Sequence, residues 1–457
     1  MNEAMVSTSF EVGRLTDGIR GTAPMRALWS AHSTLQAMLD VEAALARSCA
    51  THGIMPAELA ESIVMACRAD TLDMASLQAD AAMGGNAAIP MVKQLTALVR
   101  RSSPEAAGYV HWGATSQDII DTGMVLQLRR SLAMLGEALD QLCKALAGQA
   151  HRYRDTPMVG RSLLQQALPI TLGLKLAQSL DALMRHRERL AQLQPRVEVL
   201  QFGGAVGTLA SLGSHGPGIV HSLAKELDLG IPDVSWHTHR DRIAEIAAWL
   251  GILMGTLGKM ARDISLHMQT EIGELAEPWM PGRGGSSTMP HKRNPSGCAA
   301  VLTAALRAPH LVSSILSGMP QEHERSLGGW QAEWDVMPEL VVLASGALEN
   351  MTVIVSGLQV NESCMSANLA KTNGLILSEA IMLALGRKMG RHKAHDLVED
   401  IARKAAATGQ PFCDLVNADE RVGRYLNKTE LCDLLNPQAY LGQAGACVDA
   451  VLARVNL

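Results

Sequence analysis

Residues 125–146 read VLQLRRSLAMLGEALDQLCKAL, and an apolar residue recurs through this stretch at alternating steps of three and four. The repeated positions are Val125, Leu128, Leu132, Leu135, Leu139, Leu142 and Leu146. This spacing places the apolar side chains along one narrow side of a helix, which partner helices must cover. The stretch therefore predicts a long helix that belongs to a helical bundle.

A second stretch has the same spacing. Its apolar positions are Ile243, Ile246, Leu250, Leu253, Leu257, Met260 and Ile264. Gly251, Gly255 and Gly258 interrupt it, and each glycine costs a helix about 1 kcal/mol relative to alanine. We expect these glycines to let neighbouring helices approach closely. The pattern is compatible with a bundle completed within one chain and with a bundle shared among subunits.

Further long helices are predicted at about residues 170–196, 296–318 and 330–358, and shorter helical patterns lie on either side of this central region. The expected fold is all-α, with a long central helix bundle. Three helical domains are predicted: an N-terminal domain over 1–105, a central domain over 106–355 and a C-terminal domain over 356–457.

Composition limits the function. Hydrophobic residues make up 47% of the 457 residues but aromatic residues only 3%, which favours helices packed by Leu, Ala, Met and Val. The net charge of -5 does not favour nucleic acid or an anionic membrane as a partner. No secretory signal precedes the first helices, and no apolar stretch reaches the roughly 18 residues of a membrane span. Eight scattered cysteines without a CxxC pair are typical of a reduced, cytoplasmic protein.

The loop GRGGSSTMPHKRNPSG, residues 282–297, concentrates polar and basic residues between two predicted helices. A serine such as Ser286 can act as a base where nearby cations and backbone N–H groups favour its alkoxide. Lys292 and Asn294 are donors suited to a carboxylate. Without further information, a mobile basic surface loop explains the same residues.

Part of this loop, GSSTMPHKRNP (285–295), resembles the signature of the fumarase/aspartase superfamily. The resemblance implies that Ser286 is the general base and that Lys292 and Asn294 contact a substrate carboxylate. It also implies a homotetramer whose active sites each use residues from three subunits, with no cofactor and no metal.

A second match to the superfamily is HWGATSQDIIDTG (111–123). The resemblance implies that Thr115 and Ser116 hold a carboxylate and that His111 lies near the substrate. From the residues alone, Thr115 and Ser116 could simply cap the helix that follows. Both roles are compatible, because a capped helix start also favours an anion.

A third segment, GRSLLQQALP (160–169), departs from the superfamily pattern. Leu163 occupies the position of a histidine that protonates the leaving group, and Gln166 occupies the next site where some relatives have histidine. A carboxylate, whose conjugate acid has a pKa of about 4, can depart without an acid. The departure therefore favours a reaction in which a carboxylate leaves or adds, such as the opening or closing of a lactone.

Other segments resemble the lactonising cycloisomerases of this superfamily: LQFGGAVGTLASLG (200–213), WHTHRDR (236–242), ISLHMQTEIGE (264–274) and MPQEHERSLGGWQAEW (319–334). The implied substrate is a small polycarboxylate, which requires several cations. Lys292 and Arg325 lie in matching motifs, and Arg161 and Arg293 are further candidates. Arg325 could equally form an ordinary surface ion pair.

His239 stands where relatives commonly have glutamine, so it could change specificity or meet a substrate carboxylate. Metal binding by His237 and His239 is a weaker hypothesis, because an HxH pair lacks further ligands. Three alternatives to a cycloisomerase stay open: a lyase with an anionic leaving group such as nitrite, an adenylosuccinate lyase, and a non-catalytic structural relative.

Overall fold

The computed structural model describes residues 15–455. The expectation that the chain has no secretory signal concerns mainly residues 1–14, which lie outside the described residues. Short helices open the chain, several of them capped by side chains such as those of Ser30 and Asp73, which accept the backbone N–H of the third helical residue. These helices are α1 (Asp17–Arg20), α2 (Ala23–Leu28), α3 (Ala31–Thr51), α4 (Ala57–Ala66), α5 (Met74–Gly84) and α6 (Ala88–Ser102).

The predicted long helices are all present; the two with heptad spacing extend beyond their patterns at both ends, and the other three match their predicted bounds within two residues. The central helices are α7 (Ser116–Arg152), α8 (Leu172–Val197), the shorter α9 (Gly216–Glu226), α10 (Asp241–His267), α11 (Ser296–Ser317) and α12 (Gly329–Ser356). The fourteen repeated apolar positions of α7 and α10 are at most 5% exposed. The alternating spacing therefore reports a buried stripe, as expected.

Short helices return after α12. They are α13 (Glu362–Ala370), α14 (Ser378–Met389), α15 (Arg391–Thr408), α16 (Phe412–Ala418), α17 (Glu420–Gly423), α18 (Lys428–Leu434) and α19 (Ala444–Leu452). Two small antiparallel sheets were not predicted. They pair β1 (Pro157–Ser162) with β2 (Gln165–Thr171) and β3 (Leu275–Ala276) with β4 (Gln359–Val360).

The chain forms two compact units, each assembled from separate stretches. Unit 1 comprises the residues up to Leu139, His186–Gly258 and Ala300–Glu349. Unit 2 comprises Asp140–Arg185, Lys259–Ala299 and the residues from Asn350 onward. In unit 1, α3 packs on α4 and α9; in unit 2, α14 packs on α15. The division into domains at 105 and 355 stays a prediction.

The glycines of α10 do not all serve the same purpose. A Cβ on Gly258 would lie 2.6 Å from the Cβ of Ala305 on α11, and a Cβ on Gly251 would lie 2.9 Å from a methyl group of Val312. A Cβ on Gly255 would meet no atom within 4 Å. Close helix approach therefore accounts for Gly251 and Gly258, while Gly255 faces open space in the single chain.

The expectation that no stretch is long enough for a membrane span was wrong: by length and composition alone, three of the described helices could cross a membrane, namely α10, α11 and α12. In α10 and α12, 61% of the most apolar window is buried within the chain, whereas in α11 the buried share is 22%. Leu306 and Leu316 of α11 are 72% and 48% exposed. An apolar helix face of this size is expected to be covered by another molecule.

Candidate active site

The start of α7 is organised by Asp118, a fully buried carboxylate in unit 1. Asp118 accepts the backbone N–H of Thr115 at 3.1 Å and those of Gly203 and Gly204 at 3.0 and 2.8 Å. His237 Nε2 lies 2.7 Å from the same carboxylate. Because these bonds satisfy donors from three distant segments, Asp118 holds the segments together around the first turn of α7.

Thr115 and Ser116 are half-buried at this helix start. The predicted capping hydroxyl is replaced by Asp118, whose side chain reaches back to the Thr115 N–H in the manner of half a capping box. In the described part of the chain, neither hydroxyl makes a hydrogen bond, so both can donate to a ligand. A helix start with free hydroxyl groups favours a bound anion.

His111 lies just before this turn, with its backbone in the left-handed region at φ 62°. Its Nδ1 is 2.5 Å from Oε1 of Glu42, a buried residue of α3. Burial alone would lower the pKa of His111, but the charge and hydrogen bond of Glu42 outweigh it and raise the pKa of the imidazole above its ordinary value. Sequence reasoning missed Glu42, which has no motif around it and is 69 positions from His111.

Arg325 joins the same region of unit 1. Its guanidinium donates to Oε1 of Gln117 at 2.7 Å and to the carbonyl of Ala205. Within residues 15–455 it has no carboxylate partner, so the ordinary ion pair that the sequence also allowed is absent. The charge of Arg325 is therefore not neutralised by the protein.

His239 is exposed, and among residues 15–455 only its backbone N–H is engaged, with the carbonyl of Trp236. Its neighbours are buried: His237 contacts Asp118, and Arg240 pairs with other carboxylates. Among the described residues, neither histidine belongs to a group of three or more side chains placed to hold a metal ion. The role of His239 toward a substrate stays a prediction.

In unit 2, the loop 282–297 places Ser286 under two backbone donors. Its hydroxyl oxygen accepts the N–H groups of Met289 at 3.0 Å and Thr288 at 3.4 Å. Donors aimed at this oxygen stabilise negative charge on it and so favour the alkoxide that a serine base requires. Ser287, by contrast, is exposed, and its hydroxyl contacts only that of Thr288.

The ends of the loop are tied by backbone contacts. Asn294 N–H donates to the Gly284 carbonyl at 2.8 Å, and Gly284 has φ 67°. A Cβ on Gly284 would lie 2.5 Å from the Asn294 carbonyl, so this crossing requires glycine. Beneath it is a cavity of about 90 Å³ lined in part by Trp279, Lys292 and Asn294.

Two basic residues of the loop differ in their surroundings. Lys292 is exposed, and its ammonium group has no partner in the described part of the chain. Arg293 donates to the side chain of Gln359 at 2.8 Å and to the carbonyl of Glu277 at 2.6 Å. Arg293 therefore anchors the loop to unit 2, while Lys292 is available to an anion.

The segment that lacks the superfamily histidine forms the β1–β2 hairpin of unit 2. Leu163 and Leu164 are its turn residues, with φ of 50° and 64° and side chains 96% and 80% exposed. The side-chain oxygen of Gln166 is buried without a hydrogen-bond partner. The residues of this hairpin provide no imidazole.

Arg161, a candidate cation for the substrate, is instead paired with a carboxylate of the protein. It forms a two-pronged ion pair with the buried carboxylate of Glu274, at 2.7 and 2.9 Å. His267 and Asn368 contact the same carboxylate. Burial would raise the pKa of Glu274, but the hydrogen bonds from His267, Arg161 and Asn368 lower it to about 2. Arg161 is thus a structural partner of Glu274 in unit 2.

The predicted site residues consequently fall into two groups. Unit 1 contains His111, Thr115 and Ser116 in one segment, Arg325 hydrogen-bonded to the adjacent Gln117, and His239. Unit 2 holds Ser286, Lys292 and Asn294 in one loop.

Comparisons with known proteins agree with the fold and the motifs. Residues 19–309 match the family described as Lyase, and residues 374–451 match the family described as adenylosuccinate lyase C-terminus. The chain is 51% identical over 440 residues to a 3-carboxy-cis,cis-muconate cycloisomerase of Pseudomonas aeruginosa, with 96% of each chain covered.

Two solved structures are similar over nearly the whole chain. The 3-carboxy-cis,cis-muconate lactonizing enzyme from Pseudomonas putida has a TM-score of 0.92 and 46% identity, covering 96% of this chain and 98% of that one. The β-carboxy-cis,cis-muconate cycloisomerase from Acinetobacter calcoaceticus has a TM-score of 0.92 and 43% identity, covering 97% and 100%. Because the family match spans more than half of the chain and these relatives cover nearly all of it, the chain belongs to the lyase family of the fumarase/aspartase superfamily.

Proposed function

We propose that this enzyme is a cycloisomerase that converts 3-carboxy-cis,cis-muconate into 4-carboxymuconolactone, in the protocatechuate branch of the β-ketoadipate pathway. The observation that carries the proposal is a serine hydroxyl held under two backbone N–H donors, in a chain whose β1–β2 turn has leucines in place of a proton donor. Proton transfer at carbon, without a general acid for the leaving group, is the chemistry this combination supports. The near full-length relatives named for this reaction also support it.

In the closing direction, a carboxylate oxygen of the substrate forms a bond to a carbon of the conjugated double bond. The displaced electron pair enters a second carboxylate and gives an aci-carboxylate dianion. The Ser286 hydroxyl then delivers its proton to the neighbouring carbon. Hydroxyl, ammonium and amide donors of Thr115, Ser116, Lys292 and Asn294 would stabilise the dianion, because donors fixed before the reaction cost no reorganisation.

Opening of the lactone reverses these steps. The Ser286 alkoxide removes the proton next to the carboxylate, and the C–O bond breaks to release a carboxylate. That group departs as a stable anion and takes up no proton. Leu163 at the hairpin turn is compatible with this step, whereas departure of an amine or hydroxide would need an acid.

The deciding experiment is an ultraviolet assay of the purified protein with 3-carboxy-cis,cis-muconate. We expect loss of the conjugated-diene absorbance and formation of 4-carboxymuconolactone, identified by NMR. No loss, in a folded protein that releases fumarate from another substrate, would identify a lyase with a different anionic leaving group. A folded protein inactive on all such substrates would identify a non-catalytic relative.

The role of Ser286 is tested by Ser286→Ala. Loss of a general base costs roughly 10²–10⁴-fold in rate, so we expect kcat to fall by about that factor while the fold and oligomeric state persist. Ser287→Ala is the matched control, because its hydroxyl contacts only Thr288, and it should retain most activity. Near-normal kcat in Ser286→Ala would contradict the assignment.

We further propose that the chain works as a homotetramer whose active sites combine residues of three subunits, and that it is cytoplasmic. The exposed apolar face of α11 supports the association of subunits. The eight cysteines, all in the thiol form, support a reducing compartment. We propose that the enzyme uses no cofactor or metal and has no nucleic-acid or membrane partner.

A further inference from the structure

Gln117, in the first turn of α7, has an unusually complete set of hydrogen bonds. Its side chain is 1% exposed. The amide nitrogen donates to Oδ2 of Asp121 at 3.0 Å and to the carbonyl of His237 at 2.8 Å, and the amide oxygen accepts from Arg325 at 2.7 Å. All four residues belong to unit 1.

The orientation of this amide follows from its partners. The Asp121 carboxylate and the His237 carbonyl can only accept hydrogen bonds, so the NH₂ group of Gln117 must face them. The oxygen is then left facing the guanidinium of Arg325, which can only donate. A reversed amide would break all three bonds at once.

Asp121 is itself fixed. Arg240 donates to both its oxygens, at 2.7 and 3.1 Å, and Trp330 donates to it at 2.8 Å. Arg240 also pairs with the buried carboxylate of Glu333. A charged, buried carboxylate therefore backs the Gln117 amide and cannot turn away from it.

Arg325 is held differently from Arg161 and Arg240. Arg161 is neutralised by Glu274, and Arg240 by its two carboxylates. Arg325 is oriented by two neutral oxygens, those of Gln117 and Ala205. A neutral acceptor fixes the direction of a guanidinium but leaves its charge to a further anion.

We infer that Gln117 is a positioning residue for Arg325, through which it sets the enzyme's affinity for a polycarboxylate. Asp121 orients the Gln117 amide, and the amide orients the guanidinium toward a substrate carboxylate without cancelling its charge. The inference rests on the proposed function for the substrate class.

The test is a double-mutant cycle on Gln117→Met and Arg325→Ala, measured as the Kd of tricarballylate by calorimetry and as KM and kcat for the proposed substrate. Gln117→Met keeps the length of the side chain and removes the three hydrogen bonds. We expect it to raise Kd and KM roughly tenfold or more, because a charge-assisted contact loses its geometry, with a smaller change in kcat. In the Arg325→Ala background, it should change Kd less than twofold.

Gln127 is another buried glutamine of α7, and its amide nitrogen donates to the Leu28 carbonyl at 2.8 Å and to the Thr34 hydroxyl at 3.0 Å. Gln127→Met removes these bonds without touching Asp121 or Arg325 and is the matched control. It should lower the melting temperature about as much as Gln117→Met and leave Kd within about twofold of wild type. Gln117→Glu, which keeps an acceptor but adds a negative charge beside Arg325, should also raise Kd.

Additive effects of the two substitutions, or an equal rise of Kd in Gln127→Met, would overturn the inference. So would a wild-type protein that does not bind tricarballylate. The protein could bind tricarballylate and show non-additive effects in the cycle but form no lactone. That result would uphold the role of Gln117 and reject the proposed reaction instead.

Discussion

His111 shows how a buried partner sets the charge of a side chain at the site. Because Glu42 raises the pKa of His111, the imidazole keeps its proton, and its attraction for an anion, to higher pH than an ordinary histidine. The affinity for a polycarboxylate should therefore be full at lower pH and fall as pH rises through the raised pKa. We expect the Kd of tricarballylate to rise over that interval.

His111→Gln should remove this part of the pH dependence. Glu42→Gln should move the transition to lower pH, because the carboxylate that favours the imidazolium is gone. Calorimetric titrations across about pH 6 to 9 would measure both effects. An unchanged pH profile in His111→Gln would show that another group titrates.

The lowered pKa of Glu274 predicts a loss of stability toward low pH, whereas the raised pKa of His111 predicts a loss of affinity toward high pH. The folded-state pKa of Glu274, lowered to about 2, lies below the usual value of about 4.3. The contribution of the Glu274 carboxylate to the free energy of unfolding is therefore complete above the pKa of the unfolded state and is lost as pH falls toward 2. From the shift it amounts to at most about 3 kcal/mol.

Urea unfolding from about pH 6 to about pH 3 would measure this contribution. The free energy of unfolding of the wild-type protein should decline more steeply than that of Glu274→Gln, which has no proton to take up at this position. Parallel declines would mean that Glu274 is not the group responsible.

At the scale of the element, α10 and α11 touch where glycine permits it. Gly258→Ala would place a methyl group 2.6 Å from Ala305, and overpacking of this kind typically costs about 1–3 kcal/mol. Gly255→Ala meets no atom of the chain, and should gain up to about 1 kcal/mol of helix propensity. Thermal unfolding of the two variants should therefore shift in opposite directions.

Equal destabilisation by both substitutions would contradict the assignment of open space to Gly255 and would place another subunit against that face of α10. A neutral Gly258→Ala would mean that α11 can move aside at no cost.

The β1–β2 turn shows where local rules mislead. A two-residue hairpin turn with both residues at positive φ normally contains Asn or Gly, because a Cβ is unfavourable there by about 1–2 kcal/mol per residue. Leu163 and Leu164 carry no such signal, so the hairpin could not be predicted from its turn. Its pairing depends instead on the packing of Val159 in unit 2 against Leu369, Ile376 and Leu377.

At the scale of the whole molecule, the exposed face of α11 predicts self-association. Leu306 is 72% exposed although it lies on an apolar helix. Leu306→Glu should convert the proposed tetramer into smaller species, because a carboxylate buried between subunits would be costly. Light scattering coupled to gel filtration measures the mass directly.

Met65→Glu on α4 is the matched control, since Met65 is 73% exposed on a different helix. It should leave the mass unchanged. An unaltered mass in Leu306→Glu would show that α11 is not an interface.

The long helices and the chemical groups of the loop 282–297 could be predicted from the amino-acid sequence. Heptad spacing is a local property, and each of the two stripes of seven apolar residues can be buried in essentially one way. Ser286, Lys292 and Asn294 are likewise adjacent in the chain, so their motif is complete in one segment.

Which charged groups contact each other could not be predicted from the sequence, because it depends on the folded chain. His111 and Glu42 are 69 residues apart, and Arg325 and Gln117 are 208 apart. Composition alone could not distinguish Arg161, neutralised by Glu274, from Arg325, oriented by neutral oxygens. The physical reason is that the charge of an arginine is available to a ligand only if no carboxylate lies beside it, and that depends on contacts between distant parts of the chain.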